Sequence, residues 1–156
     1  MDKIDALNQV ATFHKTFKAP ILAQPSIPEP GRSRLRYELL SEELKEFWEA
    51  IQAKDLVGVA DALCDLQYVL SGAVLEFGLG THFVELFNEV HRSNMSKACR
   101  TQEEAQDTIE YYRQKDGTEA FYEEDNGLYL VFRTSDHKAL KSVNYSPADL
   151  ERILNG

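Results

Sequence analysis

Cysteine is scarce in this chain. Cys64 and Cys99 are the only two in 156 residues, and their separation fits neither a zinc site nor a redox pair. Cys64 stands in an apolar run and reads as a small core residue. Basic runs are also missing. Lys and Arg total 17 against 26 Asp and Glu, a formal charge of -9, so a nucleic acid or an anionic membrane surface is disfavoured as partner. The N-terminal residues MDKIDALNQVATFHKTF lack the apolar stretch of a signal peptide. No segment reads as the roughly 20 apolar residues that span a bilayer. The expectation is a reduced, cytoplasmic protein of one-domain length. Apolar residues make up 43%, enough for a core without staples.

Apolar positions in 3–17 recur at a helical period through Ile4, Leu7, Val10, Phe13 and Phe17. Pro20, Pro25, Pro28 and Pro30 then impose an extended connector. Ser33 is expected to cap a long second helix to about Lys54, with Leu35, Leu39, Leu44, Phe47 and Ile51 available for burial. Asp55 caps a third, to about Phe77, apolar on most sides and so expected in the middle of a bundle. Gly78 and Gly80 close it. A fourth helix runs from Thr81 to about His91, and a fifth from the capping box Thr101-Gln-Glu-Glu to about Arg113.

After Lys115-Asp116-Gly117, residues 119–123, 128–134 and 138–143 read as short strands. They are separated by turns at Asp125-Asn126-Gly127 and Ser135-Asp136-His137. A last helical turn follows Ser146, with Pro147 at its first position. The pattern predicts a mainly α fold: an antiparallel bundle of four to five helices over 1–115, and a small antiparallel β appendage over 116–156.

At about 100° per residue, Glu38, Glu42, Glu46 and Glu49 share one stripe of the second helix, with Glu43 on its shoulder. A solvated outer face explains such a stripe on its own. Asp61 and Asp65 add a second observation, because they lie one turn apart on the least polar helix. No Lys or Arg occurs between Asp55 and Glu76. Carboxylates in apolar surroundings need a counter-charge. Either a distant arginine such as Arg34 or Arg36 supplies it, or a cation does. A short turn near Lys54-Asp55 places the two acidic rows at similar heights. An all-oxygen set without His or Cys suits Mg²⁺, with Mn²⁺ as a substitute, and argues against zinc.

At Glu42-Glu43-Leu44-Lys45-Glu46, followed on the next helix by Asp65, the sequence resembles the MazG-like all-α nucleoside triphosphate pyrophosphohydrolases. The likeness is to the branch that includes phosphoribosyl-ATP pyrophosphohydrolase. It departs at Ala62, where that family carries an acid; Asp61, one residue earlier on the same face, stands in for it. The resemblance implies Glu43, Glu46 and Asp65 as metal ligands, Glu42 as ligand or water-orienting base, and Asp61 as ligand or acceptor from a bound water. The segment Val90–Lys97 resembles the end of the family's fourth helix, implying Asn94 and Lys97 as nucleotide contacts. Both also suit an ordinary helix C-terminus. Nothing in the sequence selects the residue that stacks on the base, whether Tyr68 or one from the first helix.

The activity implied is Mg²⁺-dependent cleavage of a nucleotide to its monophosphate and pyrophosphate, in a homodimer or homotetramer. Two other readings are a phosphoribosyl-ATP pyrophosphohydrolase of histidine biosynthesis and a non-catalytic helical interaction protein.

Overall fold

The computed structural model describes residues 4–155, so Lys3, the expected start of the first helix, lies outside them. Six helices and one two-stranded sheet are present among these residues, a mainly α fold. They divide into two compact units, one ending at Phe83 and one beginning at Val84.

In the first unit, α1 (Ala6–Phe17) and α2 (Pro30–Ala53) both pack on α3 (Leu56–Glu76). The second helix begins earlier than a Ser33 cap predicts. Pro30 occupies its first turn, where a missing N–H costs nothing, and the Ser33 hydroxyl instead donates to the Pro28 carbonyl at 2.9 Å. Lys54 ends α2 in a left-handed conformation (φ 56°), and Asp55 caps α3 by accepting from the Val57 N–H at 3.0 Å. This two-residue turn reverses the chain. Gly58 keeps it tight, because a Cβ there would stand 3.2 Å from the Ala50 Cβ.

The proline-rich connector returns along the end of α3. Leu22 N–H donates to Leu75 O and Ser26 N–H to Phe77 O, both at 3.1 Å. Gly78 permits that course. Its φ is +68°, and a Cβ would fall 1.9 Å from the Gln24 carbonyl oxygen. Gly78→Ala is therefore expected to destabilise the fold by at least about 2 kcal/mol, combining left-handed strain with the clash. Chemical denaturation measures it, and an unchanged midpoint would contradict the packing.

Two burial expectations fail. Of the apolar positions on α2, Leu44 and Ile51 are exposed, and the buried residue is Arg36. The third helix is not enclosed: α1 and α2 cover Ala62 and the stretch from Ser71 to Glu76, while Leu56, Val57, Leu63 and Leu70 face outward. Cys64 is exposed for the same reason, not a core residue. In length and composition alone α3 also passes as a membrane span, contrary to the sequence reading, with 22% of the relevant window buried.

The second unit holds α4 (Phe83–Met95) from its second residue on, α5 (Gln102–Asp116), β1 (Ala120–Asp125), β2 (Leu128–Arg133) and α6 (Leu150–Asn155). The fourth helix starts two residues after Thr81 and runs past His91 to Met95. Thr101 caps α5 through the Glu104 N–H at 3.1 Å. Asn126 and Gly127 both have positive φ, the geometry that a tight hairpin turn requires. The hairpin packs on α5, so the fifth helix groups with the β segment. The third strand is reduced to one bridge, Phe132 with Ala139, because the chain turns at His137 (φ 55°) and soon leaves the sheet edge. Pro147 does not open the last helix, which begins at Leu150.

Candidate metal and nucleotide site

The α2–α3 turn aligns the two acidic rows by counting residues. Glu46 lies eight residues before Lys54 and Asp61 six after Asp55, a difference of roughly 3 Å along the helix axes. Glu43 stands on the inner edge of α2 and is half-buried, whereas Glu42, Glu46, Asp61 and Asp65 are exposed. The carboxyl of Glu43 is held above its ordinary range, first by burial and then by the charges of Asp65, Glu46, Glu42 and Asp61. Both helices thus direct negative charge at one half-buried group, as facing rows require.

Among the described residues, no cation of the first unit stands at ion-pair distance from it. Arg34 donates to Glu38 at 2.7 Å, Arg36 is paired with Glu76, and Lys45 reaches Glu49 at 3.4 Å. Among the described residues none of the five acids has an ion-pair partner within the first unit. Arg34 and Arg36, the arginines offered as partners of Asp61 and Asp65, are thus engaged with other acids. The side chains do not close into a coordination shell either, since among the described residues no three His, Cys, Asp or Glu groups stand close enough to hold one ion. Exposed carboxylates of like charge gain by standing apart in water. The donor set itself, five carboxylates on two rigid helices without nitrogen or sulfur, fits a hard divalent cation.

An acid–base group that sequence reasoning missed lies further along the same helix pair. Glu76 is 1% exposed and accepts from Arg32 Nε at 3.1 Å, from Arg32 Nη2 at 2.5 Å, and from Arg36 through both Nε and Nη2. Burial raises its pKa, and the two guanidinium groups outweigh that effect and hold it below 4.5. Gly72 leaves the space Arg36 needs, since a Cβ there would come within 2.7 Å of Arg36 Nη1 and 3.1 Å of His14 Nε2. The sequence signal was two arginines at i, i+4 opposite one acid in an apolar run.

Asn94 and Lys97 belong to the second unit. Asn94 is in the last turn of α4 and Lys97 just beyond it, and Lys97 Nζ donates to Asn94 Oδ1 at 2.7 Å. Tyr68 packs edge-on against Phe13 of α1, with ring centroids 5.6 Å apart, and remains partly exposed.

The pattern of the phosphoribosyl-ATP pyrophosphohydrolase family matches residues 10–94, more than half of the chain. The chain belongs to this family. The match takes in both acidic rows, the Glu76 triad and Asn94, and it ends before the hairpin. Uncharacterized protein L479 of Acanthamoeba polyphaga mimivirus is 39% identical over 81 residues. Those residues are 49% of this chain and 32% of the viral protein, so the chain spans about a third of that relative's length. Membership of the pyrophosphohydrolase family supports an activity on nucleotide phosphate chains.

Proposed function

We propose that the protein is a Mg²⁺-dependent nucleoside triphosphate pyrophosphohydrolase. The carrying observation is the half-buried Glu43, crowded by four carboxylates from two helices with no ion-pair partner among the described residues of its unit. Glu43, Glu46 and Asp65 would hold the metal, with Asp61 as a further ligand or as acceptor from a bound water. When bound, the ion supplies charge neutralisation for the phosphate chain and lowers the pKa of water. Glu42 orients the attacking water and accepts its proton. The new bond forms at the α-phosphorus, the bond from that phosphorus to the bridging oxygen breaks, and pyrophosphate departs as the leaving group. Asn94 and Lys97 of the second unit are nucleotide contacts only as the family resemblance implies.

Pyrophosphate release over a panel of nucleoside triphosphates and phosphoribosyl-ATP, with and without Mg²⁺, tests this. Release from triphosphates only with Mg²⁺ is expected. Activity confined to phosphoribosyl-ATP would favour the histidine-biosynthesis reading, which the family's name supports. No release and no Mg²⁺ binding would favour an inert interaction protein.

A homodimer or homotetramer is part of the proposal. Tyr37, Leu44 and Ile51 repeat every seven residues on α2, as do Leu56, Leu63 and Leu70 on α3, and all six are exposed. Trp48 joins the first stripe at 57% exposure. At 100° per residue each stripe lies on one side of the α2–α3 contact line and the acids on the other. Two antiparallel helices thus present one apolar face and one acidic face. A patch of this kind marks a protein partner, and seven-residue spacing suits packing against a second helix pair. Leu44→Glu with Leu63→Glu is expected to shift the mass in sedimentation from the oligomer to the 17.8 kDa chain. A wild-type protein that already sediments as one chain would sink this part.

A further inference from the structure

Beyond the family-matched residues 10–94, α5 and the loop after the hairpin bring lysines and tyrosines together. Tyr111, Tyr112, Lys115, Lys141, Val143 and Tyr145 line a cavity of about 370 Å³ within the second unit. Spacings of four and three residues place Lys115 over both tyrosines of α5, with Nζ 5.5 Å from the Tyr111 ring centroid and 5.8 Å from that of Tyr112. The two rings meet edge to face at 5.2 Å. Lys141 repeats the contact on the loop, its Nζ 4.3 Å from the Tyr145 ring centroid.

Hydrogen bonds hold the loop wall against the helix wall. Lys141 N–H donates to the Tyr112 hydroxyl at 3.3 Å, and Val143 N–H donates to Thr108 Oγ1 at 3.1 Å. The Tyr145 hydroxyl is bonded to Ser93 Oγ at 2.8 Å. Walls fixed in this way lose little freedom when a ligand enters.

Charge and size limit the occupant. No carboxylate lines the cavity. Among the described residues, neither Lys115 nor Lys141 has an acid at ion-pair distance, in a chain of charge -9. Two nearby acids are engaged elsewhere. Glu104 accepts from the Ser142 hydroxyl and from Arg100 N–H at 2.8 Å, and Asp116 accepts from Thr118 N–H at 3.0 Å. Two ammonium groups without counter-ions suit an anion of charge near -2. A phosphate monoester carries about -1.5 to -2 at neutral pH, and lysine meets phosphate as a point charge. The cavity exceeds the roughly 300 Å³ at which pockets for organic ligands begin, so there is room for an organic group on the phosphate. Val143 and the tyrosine rings offer that group apolar contact.

We propose that this cavity binds a phosphate monoester of a small aromatic compound. Lys115 and Lys141 are the counter-charges to the phosphate, and Val143 and the tyrosine rings contact the aromatic group. The site is independent of the nucleotide reading, because none of its lining residues belongs to the acidic rows or to the family-matched segment.

The test is calorimetric titration of the full-length chain with phenyl phosphate in EDTA, beside inorganic phosphate and benzyl alcohol as the two halves of the probe. Saturable binding of phenyl phosphate is expected, tighter than that of either half. Lys115→Gln and Lys141→Gln each remove one charge and should each raise Kd about fivefold. Both lysines are exposed, so the melting temperature should stay at the wild-type value. Val143→Trp fills the cavity from an exposed position and should raise Kd about tenfold. Should that variant melt earlier, the two lysine variants carry the test. Lys138→Gln removes an exposed lysine of the same unit that does not line the cavity, and should leave Kd within about twofold of wild type. Absence of saturable binding at millimolar phenyl phosphate overturns the assignment, as does equal affinity for inorganic phosphate. A loss in Lys138→Gln as large as in the cavity variants would overturn it too, since general charge attraction would then explain the binding.

Discussion

Asp65→Asn is expected to lower pyrophosphate release by about 10²–10³-fold, the scale on which one preorganised electrostatic contact to a transition state acts. The same substitution should leave the melting temperature unchanged or raised. Asp65 is exposed, makes no ion pair within its unit, and contributes the largest of the charges that push Glu43 upward. Removing it relieves repulsion and breaks no partner. Mg²⁺ should separate the proteins further. A carboxyl whose folded pKa exceeds its unfolded one favours the folded state fully below the unfolded value, and that contribution is lost as pH rises through the folded value. Ionised Glu43 therefore opposes folding at neutral pH, and a bound cation removes the opposition. Wild-type thermal stability should rise with Mg²⁺ at pH 7–8, less as pH falls through the Glu43 titration, and little in Asp65→Asn. Full turnover in Asp65→Asn would place the site elsewhere.

Much of this arrangement was legible in the sequence because it is local. Helical period put Glu42, Glu43 and Glu46 on one helix and Asp61 and Asp65 on one face of the next. Asp55 announced the turn that brings the rows to one height, and Asn126-Gly127 announced the hairpin. What escaped depended on what covers a surface. An apolar helix predicts burial but not by which chain, so α3 reads as central although half of its apolar positions face outward in one chain. Cys64 was misplaced by the same inference. The third strand failed because aromatic and β-branched composition cannot show whether a partner edge continues beyond Ala139. The partner of Arg36 was hidden too. The nearer candidates Asp61 and Asp65 compete with Glu76, and only packing at Gly72 shows which one the guanidinium can reach.

That buried pairing carries the second large expectation. Arg36 and Glu76 lie about twenty residues from the Lys54-Asp55 turn, one before it and one after. The turn fixes the register of α2 against α3 at one end and the triad fixes it at the other, with the acidic rows between. Glu76→Ala should destabilise the fold by about 3–5 kcal/mol, the cost of leaving a buried charge without its partner. In a chain of this length the melting temperature should fall by roughly 10 °C. The sign with pH is opposite to that of Glu43. Because the Glu76 pKa is depressed, its stabilisation is present above the unfolded carboxyl value and disappears as pH falls through the folded one, so wild type and variant should converge in acid. Joint replacement of Arg32, Arg36 and Glu76 by Met is expected to recover most of the loss at neutral pH, since apolar residues of similar volume need no counter-charge. Recovery of the melting temperature with pyrophosphate release still depressed would show that the triad aligns the acidic rows as well as holding the helices. Recovery of both would reduce it to a fastening. A melting temperature unmoved by Glu76→Ala would mean that the two arginines find water instead, and that the register is set by the turn alone.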